Sequence, residues 1–451
     1  MKLKTKDLVL KTKKMELKEK ILSSYVAFEN GIDINSDIHE IRTEALENFE
    51  KLGFPTKKLE DWKYTSLNTV LKNDFSIFLN KENSVQFADV KNYFIHDIDT
   101  FKVVFIDGKY SSFLSDVTHD GKDICLLSSA LSKSKYSSVI ENYFNKVAKQ
   151  DNLTSLNTAF ANEGAYIYIP KNIEVEKPIQ IINFTTGSEA ASIVQPRNLI
   201  VVEDNSHVQI IERHQSLTSN AVLSNVVTEI FAGRNATIDY YKIQNDEVNA
   251  SLVDNTFIDQ KSNSVVSMHT FSFGGNITRN NLSFYQNGEH IDSILKGISI
   301  IEGKQHVDHH TLVHHIEPNC ESHQDYKGIF NDRSTGVFNG KVIVNKEAQK
   351  TNAYQQNNNV LISDKATINA KPQLEIFADD VKCSHGCTIG QLDNDALFYM
   401  QQRGIPMKEG KALLMYAFAN TVLESVKIPE VKSRITKLIA DKLGINIGFD
   451  L

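Results

Sequence analysis

The sequence predicts a mainly β protein, with a β-solenoid or β-sandwich core held between helical regions at its two ends. Three observations carry this. From about Ala165 to Cys383 the chain runs through short alternating segments rich in valine, isoleucine and threonine, the period-two pattern of strands. Polar corners punctuate them at Asp204-Asn205, Gly233-Arg234-Asn235, Lys261-Ser262-Asn263, Asn287-Gly288, Glu302-Gly303, Asn331-Asp332, Asn345-Lys346, Ser363-Asp364 and Asp379-Asp380. Their separation clusters near about fifteen residues or twice that, as in rungs that cannot bury a face without their neighbours. Helical periodicity is confined to the two ends.

The first region, residues 1–160, opens with a lysine-rich stretch from Met1 to Lys20, read as a solvated terminus. A helix over Glu16 to Asn30 follows from Leu17, Ile21, Tyr25 and Phe28. A second carries Ile38, Ile41, Ala45, Phe49 and Leu52, with Ser36 or Asp37 as N-cap. Gly53 ends it and Pro55 blocks its continuation. Trp62, the single tryptophan, is read as a packing anchor between this helical part and the core.

Residues 161–390 form the β core. Inward positions are expected at Ile238 and Tyr240, around Val265 and Met268, and at Val342 and Val344. The run Gln355-Gln356-Asn357-Asn358-Asn359 reads as stacked amides at a turn. In the third region, 391–451, Asp393 caps a helix through Ala396, Leu397 and Met400 that stops at Gly404 and Pro406. The next helix, Lys408 to Val426, is apolar nearly all round, which demands burial on more than one side. Pro429 opens a last helix through Ile435, Leu438, Ile439 and Leu443, ending at Gly444.

With 49 basic and 56 acidic residues among 451, the net charge is −7, which argues against a protein built to grip nucleic acid. No apolar run reaches the eighteen or so residues of a membrane span. Leu8-Val9-Leu10 is too short for a signal peptide's apolar core, so a cytoplasmic location is expected. The four cysteines, Cys125, Cys320, Cys383 and Cys387, are too few for a disulfide framework. No phosphate-cradling Gly-x-x-x-x-Gly-Lys loop is present, so any nucleotide hydrolysis falls to another subunit.

Two segments carry candidate chemistry. In Lys382-Cys383-Ser384-His385-Gly386-Cys387, Cys383 and His385 are two apart and share one face of a strand. Thiolate beside imidazole suits iron, zinc or copper(I). Cys387 joins that face only if the strand continues past Gly386. The second segment, His306-Val307-Asp308-His309-His310-Thr311-Leu312-Val313-His314-His315, splits by alternation. His306, Asp308, His310 and His314 take one face and His309 and His315 the other. A metal-dependent enzyme on a β scaffold would use His306, Asp308 and His310, in the cupin manner. A structural or interfacial strip is the other reading. Cys320 with His323 reads as structural, and Cys125 as a small buried hydrophobe.

Several motifs together resemble the SufD family of the SUF iron–sulfur cluster assembly machinery. They are Lys371-Pro372-Gln373-Leu374-Glu375-Ile376, Ala378-Asp379-Asp380-Val381-Lys382-Cys383-Ser384-His385-Gly386, Leu397-Phe398-Tyr399 and Arg403-Gly404-Ile405. Upstream, Tyr326-Lys327-Gly328-Ile329, Gly336 to Gly340 and Lys350 to Gln355 extend the likeness, and Glu60-Asp61-Trp62-Lys63-Tyr64-Thr65 echoes it near the start. The sister family SufB typically has an acidic Glu-His-Glu run in place of Cys383 to Gly386, and Cys387 stands where many relatives have alanine. The resemblance implies a right-handed parallel β-helix and a non-enzymatic subunit. It also implies pairing with SufB through the β-helix and docking of the ATPase SufC on the C-terminal helices. A homodimer is the alternative when SufB is absent. Iron or a cluster would be gathered at the SufB contact, with Cys383 and His385 as this chain's candidates and no cofactor held tightly by the isolated chain.

Overall fold

The computed structural model describes residues 16–32, 36–77, 85–187 and 191–444. Most of the lysine-rich start, and the side chains of the candidate caps Ser36 and Asp37, therefore lie outside the described residues. Helices α1 (Leu17–Glu29) and α2 (Ser36–Leu52) form where the periodicity places them, and α2 ends on Gly53, whose φ is +62° and whose N–H bonds the Phe49 carbonyl at 2.7 Å. Helices α3 (Phe87–Val90), α4 (Leu127–Ser132), α5 (Ser137–Tyr143) and α6 (Asn152–Ala159) complete the N-terminal part. Strands β1 (Phe101–Ile106), β2 (Lys109–Tyr110) and β3 (Asp123–Leu126) are interleaved with them and already belong to the sheets that follow.

The core winds through β4 (Ala165–Ile169), β5 (Ile179–Thr185), β6 (Ser192–Val194), β7 (Arg197–Val202), β8 (His207–Ser216), β9 (Val222–Ala232) and β10 (Thr237–Gln244). It continues with β11 (Ala250–Gln260), β12 (Val265–Ser272), β13 (Ile277–Gln286), β14 (Asp292–Ile301) and β15 (His306–His315). The last strands are β16 (Glu321–Phe330), β17 (Thr335–Val344), β18 (Asn352–Leu361), β19 (Thr367–Ile376) and β20 (Lys382–Gly390). From β7 onward successive strands alternate between two sheets, and each pairs in parallel with the strand two ahead. This is a parallel β-solenoid, in which each strand's backbone is bonded by the rungs before and after it. The corners read from the sequence mark half-turns, which explains their two spacings.

Corner chemistry is visible in the backbone. Asn172, Asn205, Asn235 and Asn263 occupy equivalent left-handed positions with φ between +55° and +61°. Asparagine tolerates that conformation better than other side chains with a Cβ. Their amides also stack, Asn205 Nδ2 donating to Asn172 Oδ1 at 2.9 Å and Asn235 Nδ2 to Asn205 Oδ1 at 2.7 Å.

Alternate residues fill the lumen: Ile210, Ile238, Tyr240, Met268, Leu295, Val313 and Phe338 belong to one buried cluster. The amide run Gln355 to Asn359 is not a turn. It lies inside β18, with Gln355, Asn357 and Asn359 pointing into the lumen and buried. The lumen tolerates them because they bond one another and the backbone: Asn359 Nδ2 donates to Asn357 Oδ1 at 2.6 Å, and Asn357 Nδ2 to the Tyr326 carbonyl at 3.2 Å.

Helices α7 (Asn394–Gln402), α8 (Met407–Leu423) and α9 (Pro429–Leu443) return along the outside of the sheet that ends in β20. Asp393 caps α7 through bonds to the Asp395 and Ala396 N–H groups. Ala419, Val422, Leu423, Val431, Ile435 and Ile439 pack on Tyr241, Phe271, Ile298 and Ile329. Lys427 Nζ adds an ion pair to Asp239 at 2.7 Å. The expected burial of α8 on several sides holds only in part: Gly410, Ala412, Ala419, Val422 and Leu423 are buried, while Ala417 and Thr421 face solvent. Met407 and Leu413 stay 51% and 39% exposed, because the solenoid and α9 cover only part of the helix. Among the described residues, no helix is long and apolar enough to cross a membrane.

Candidate functional site

The Cys383–His385 segment forms the last strand of its sheet. In the parallel register Cys383 stands beside Ala353, His385 beside Gln355 and Cys387 beside Asn357. Those three β18 residues face the lumen, so Cys383 and His385 do too, and share one face as their spacing requires. The strand runs on through Gly386, so Cys387 shares it as well. Among the described residues no further rung covers this end, and β19 ends the opposite sheet in the same way. Successive donors are about 7 Å apart along the strand. They therefore cannot all converge on one ion. Cys383 is half-buried against Val342, Val344, Ala348 and Ala353, whereas His385 and Cys387 are exposed. Burial pushes both thiols up.

The histidine-rich strand β15 divides as its alternation predicts. Asp308 is fully buried on the outer face, beneath the N-terminal segment. Its carboxylate meets Arg279 Nη1 at 2.7 Å and His310 Nε2 at 3.1 Å, and accepts a short bond from Thr65 Oγ1. Thr65 also meets His306 Nε2 at 2.8 Å, and the Arg279 guanidinium lies 4.0 Å from the Trp62 ring centre. Burial would raise the Asp308 carboxyl; Arg279, then His310 and Thr65, outweigh it and hold it well below the usual carboxylate range. The Glu60–Thr65 segment and the histidine strip thus form a latch between the N-terminal part and the solenoid, with Trp62 as its anchor. With Asp308 committed to Arg279, this is a poor place for a cation. Among the described residues, His306, Asp308 and His310 do not bring three ligand atoms within 4.8 Å of one another.

On the inner face, His309 Nε2 meets Ser299 Oγ at 2.8 Å, and His315 Nε2 meets Ser322 Oγ at 2.9 Å. Burial pushes His309 down to about 4 and His315 to about 3; His269, under α8, is likewise pushed to about 4. These rings fold neutral, while the unfolded chain protonates them near 6.5. The unfolded state therefore binds more protons between those values, and stability falls as pH falls. The melting temperature is expected to drop steeply between about pH 6.5 and 4. His309→Gln should flatten that dependence, and an unchanged slope would show that this ring is solvated. Asp308 keeps its charge throughout the window.

Cys125 and Cys320 are buried; the Cys320 thiol lies 3.1 Å from the Gly288 carbonyl, and burial pushes Cys125 up to about 11. His323 lies 3.4 Å from Glu321, on the outer surface.

One cluster escaped sequence reading. Inside the lumen, Lys242 Nζ sits 2.5 Å from Asp254 Oδ2, 3.2 Å from Glu212 Oε2 and 3.0 Å from Thr256 Oγ1. His214 Nε2 is 3.2 Å from Glu212 Oε1, and Tyr240 donates to Glu212 at 2.9 Å. Glu212, His214 and Asp254 form the one metal-like trio among the described residues. The Lys242 ammonium already supplies its cation. The signal available was charge at inward positions of apolar strands, as in Ile210-x-Glu212-x-His214 and Tyr240-x-Lys242.

The geometry of rungs, latch and open end can be set beside known proteins. The family model described as "SUF system FeS cluster assembly, SufBD core domain" matches residues 184–418, and that of the "SufBD protein N-terminal region" matches 15–181. The chain belongs to the SufBD family. An iron–sulfur cluster assembly SufBD family protein of Synechocystis is 31% identical over 88% of this chain and 90% of its own length. The iron–sulfur cluster assembly proteins SufD of Escherichia coli (27%; 88% and 91% covered) and Bacillus subtilis (26%; 90% and 94%) are similar throughout. The SufBD core match spans the solenoid from β5 into α8, including the open end with Cys383, His385 and Cys387. SufBD membership ties the chain to iron–sulfur cluster assembly in the SUF system.

Proposed function

We propose that this chain is a non-enzymatic, cytoplasmic, SufD-type subunit of an assembly scaffold, pairing with a SufB-like subunit and docking a SufC-like ATPase. The observation that carries the reading is the open end of the solenoid. Among the described residues, no strand pairs with the outer edges of β19 and β20 there, beside exposed Ile376, Phe377 and Ile389. An uncapped, partly apolar edge invites strand addition by a similar solenoid. The face so covered carries Cys383 and His385, the residues offered for iron or a nascent cluster. A soft thiol and an imidazole on a surface that a partner closes suit transient handling of iron. The ATPase surface is assigned to the exposed parts of α7 and α8. The homodimer of the isolated chain would use the same open end.

Anaerobic co-purification with SufB-like and SufC-like partners, followed by iron and sulfide analysis, tests the reading. A complex of the three chains that loads iron and sulfide is expected. Within it, proline at Ile389 should weaken SufB-like pairing more than alanine there: Lys382 and each second residue after it bond back to β18, so the Ile389 N–H is one that faces the open edge. Equal effects would point to side-chain contacts, and no association at all would sink the assignment.

A further inference from the structure

Two arginines on the outer side of the solenoid stand together without a counter-charge. Arg213 lies on β8, between Ile182 of β5 and Ile243 of β10 in the sheet register, and is 3% exposed. Ile211, two residues before it on the same face, belongs to the apolar cluster beneath α9. Arg434, on α9, is half-buried. Both reach the turn Lys91–Tyr93: the Arg213 guanidinium lies 5.1 Å from the Tyr93 ring centre, and Arg434 Nη2 donates a short bond to the Asn92 carbonyl. The N-terminal part, the solenoid and the C-terminal helices meet at this point.

A guanidinium offers five N–H donors. Arg213 uses one on Gln215 Oε1 at 3.0 Å, and its Nε, like that of Arg434, is buried without a partner among the described residues. Neither arginine has a carboxylate within 4.0 Å there, whereas the buried Arg197 and Arg279 meet Glu229 at 2.5 Å and Asp308 at 2.7 Å. The carboxylates whose charge reaches them are held apart. Asp246 accepts from the Ser216 N–H at 2.6 Å and from Gln244 Nε2 at 3.0 Å, and Asp441 stands about two turns along α9 from Arg434. The Tyr93 face offsets part of the cost of burying Arg213. Burial, with the like charge of Arg434 beside it, still pushes the Arg213 pKa down to about 9. A buried charge left unpaired is costly, so these orphan donors point to a missing anion.

We propose that Arg213 and Arg434 form a binding site for a small oxyanion of the phosphate class, free or carried as a phosphoryl group, where α9 crosses the Lys91–Tyr93 turn. The planar fork of a guanidinium matches phosphate oxygens two at a time, and the two unpartnered Nε–H groups are donors that such an ion takes up. Access is from the Arg434 side, where Lys91 and Asn92 are exposed. One carboxylate would answer one fork. Two cations with no facing acid call for an ion that accepts from both and carries more than one negative charge. Once bound, the ion fastens α9 to the solenoid and to the N-terminal part, so its binding stabilises the helical layer.

The test titrates the full-length chain, in chloride buffer at constant ionic strength, with inorganic phosphate. Calorimetry should show one site per chain, and saturation should raise the melting temperature by about 2 °C or more. Sodium glutamate at the same ionic strength should give no such rise. Arg434→Gln should weaken phosphate binding by about tenfold or more and abolish the rise, the scale of a lost charge-assisted bond. Arg434→Lys keeps the charge without the fork and should fall between, and it carries the comparison, with Arg213→Lys, if the glutamine variant does not fold. Arg403→Gln on α7, away from the site, should bind as the parent does. A second arm with adenosine monophosphate separates the sources: tighter binding than phosphate assigns the site to a phosphoryl group on a larger ligand, and equal or weaker binding assigns it to the free ion. A chain that takes up neither phosphate nor the monophosphate overturns the proposal. So does an affinity unchanged in Arg434→Gln, or a rise given by glutamate and not by phosphate.

Discussion

Lys242→Met is expected to destabilise the protein by about 3–5 kcal/mol, the range for breaking a buried ion pair from one side. Lys242 is 4% exposed and lies between two carboxylates, while Glu212 and Asp254 are at most 1% exposed. With the ammonium gone, His214 is the one cation left in contact with the cluster. For His214, burial lowers its pKa, but the Glu212 charge beside it more than compensates and leaves it raised. The surviving excess negative charge must be neutralised by proton uptake or by opening the lumen to water. Total stabilities are only about 5–15 kcal/mol, so the loss is a large share. Denaturant unfolding measures it. The double variant Lys242→Met/Asp254→Asn, which leaves Glu212 with His214, should recover part of the loss. A single variant within about 1 kcal/mol of the parent would mean that water already solvates the cluster.

The fold was legible in the sequence because a solenoid repeats its local rules. Asn205, Asn235 and Asn263 stand at corners for a conformational reason that acts locally, and the alternation of β15 assigns each histidine its face without tertiary information. Three things were not legible. The amide run in β18 has turn composition, and only the neighbouring rungs explain why it lies in a strand. The covering of α8 depends on where α9 and the solenoid sit, which periodicity within one helix does not encode. The Glu212, His214, Lys242 and Asp254 cluster joins residues from three strands in two sheets, and it follows only once the pairing of β8 with β10 and the placement of β11 across the lumen are known. At the open end, the shared face of Cys383 and His385 followed from spacing. The unequal surroundings of Cys383 and Cys387 did not, because they arise from Val342 and Val344 on the opposite sheet.

The second large effect is expected at the surface proposed for the ATPase. On α7, Phe398 and Tyr399 are 62% and 58% exposed, next to a helix that leaves Met407 and Leu413 uncovered. Side chains of this kind cost solubility when isolated, and they dominate binding energy when a partner buries them. Phe398→Asp should weaken association with a SufC-like ATPase by about 2 kcal/mol or more, roughly 30-fold in dissociation constant. A point substitution isolates this contact better than removal of residues 391–451. That truncation would strip α8 and α9 from Tyr241, Phe271 and Ile298 and expose the outer face of the solenoid. Because Phe398 lies in the open, the variant should keep the parent's melting temperature and its pairing with a SufB-like subunit. Titration calorimetry against the ATPase supplies the measurement. An affinity equal to the parent's would move the docking surface off α7, and a lowered melting temperature would show that Phe398 supports the helical layer rather than a partner.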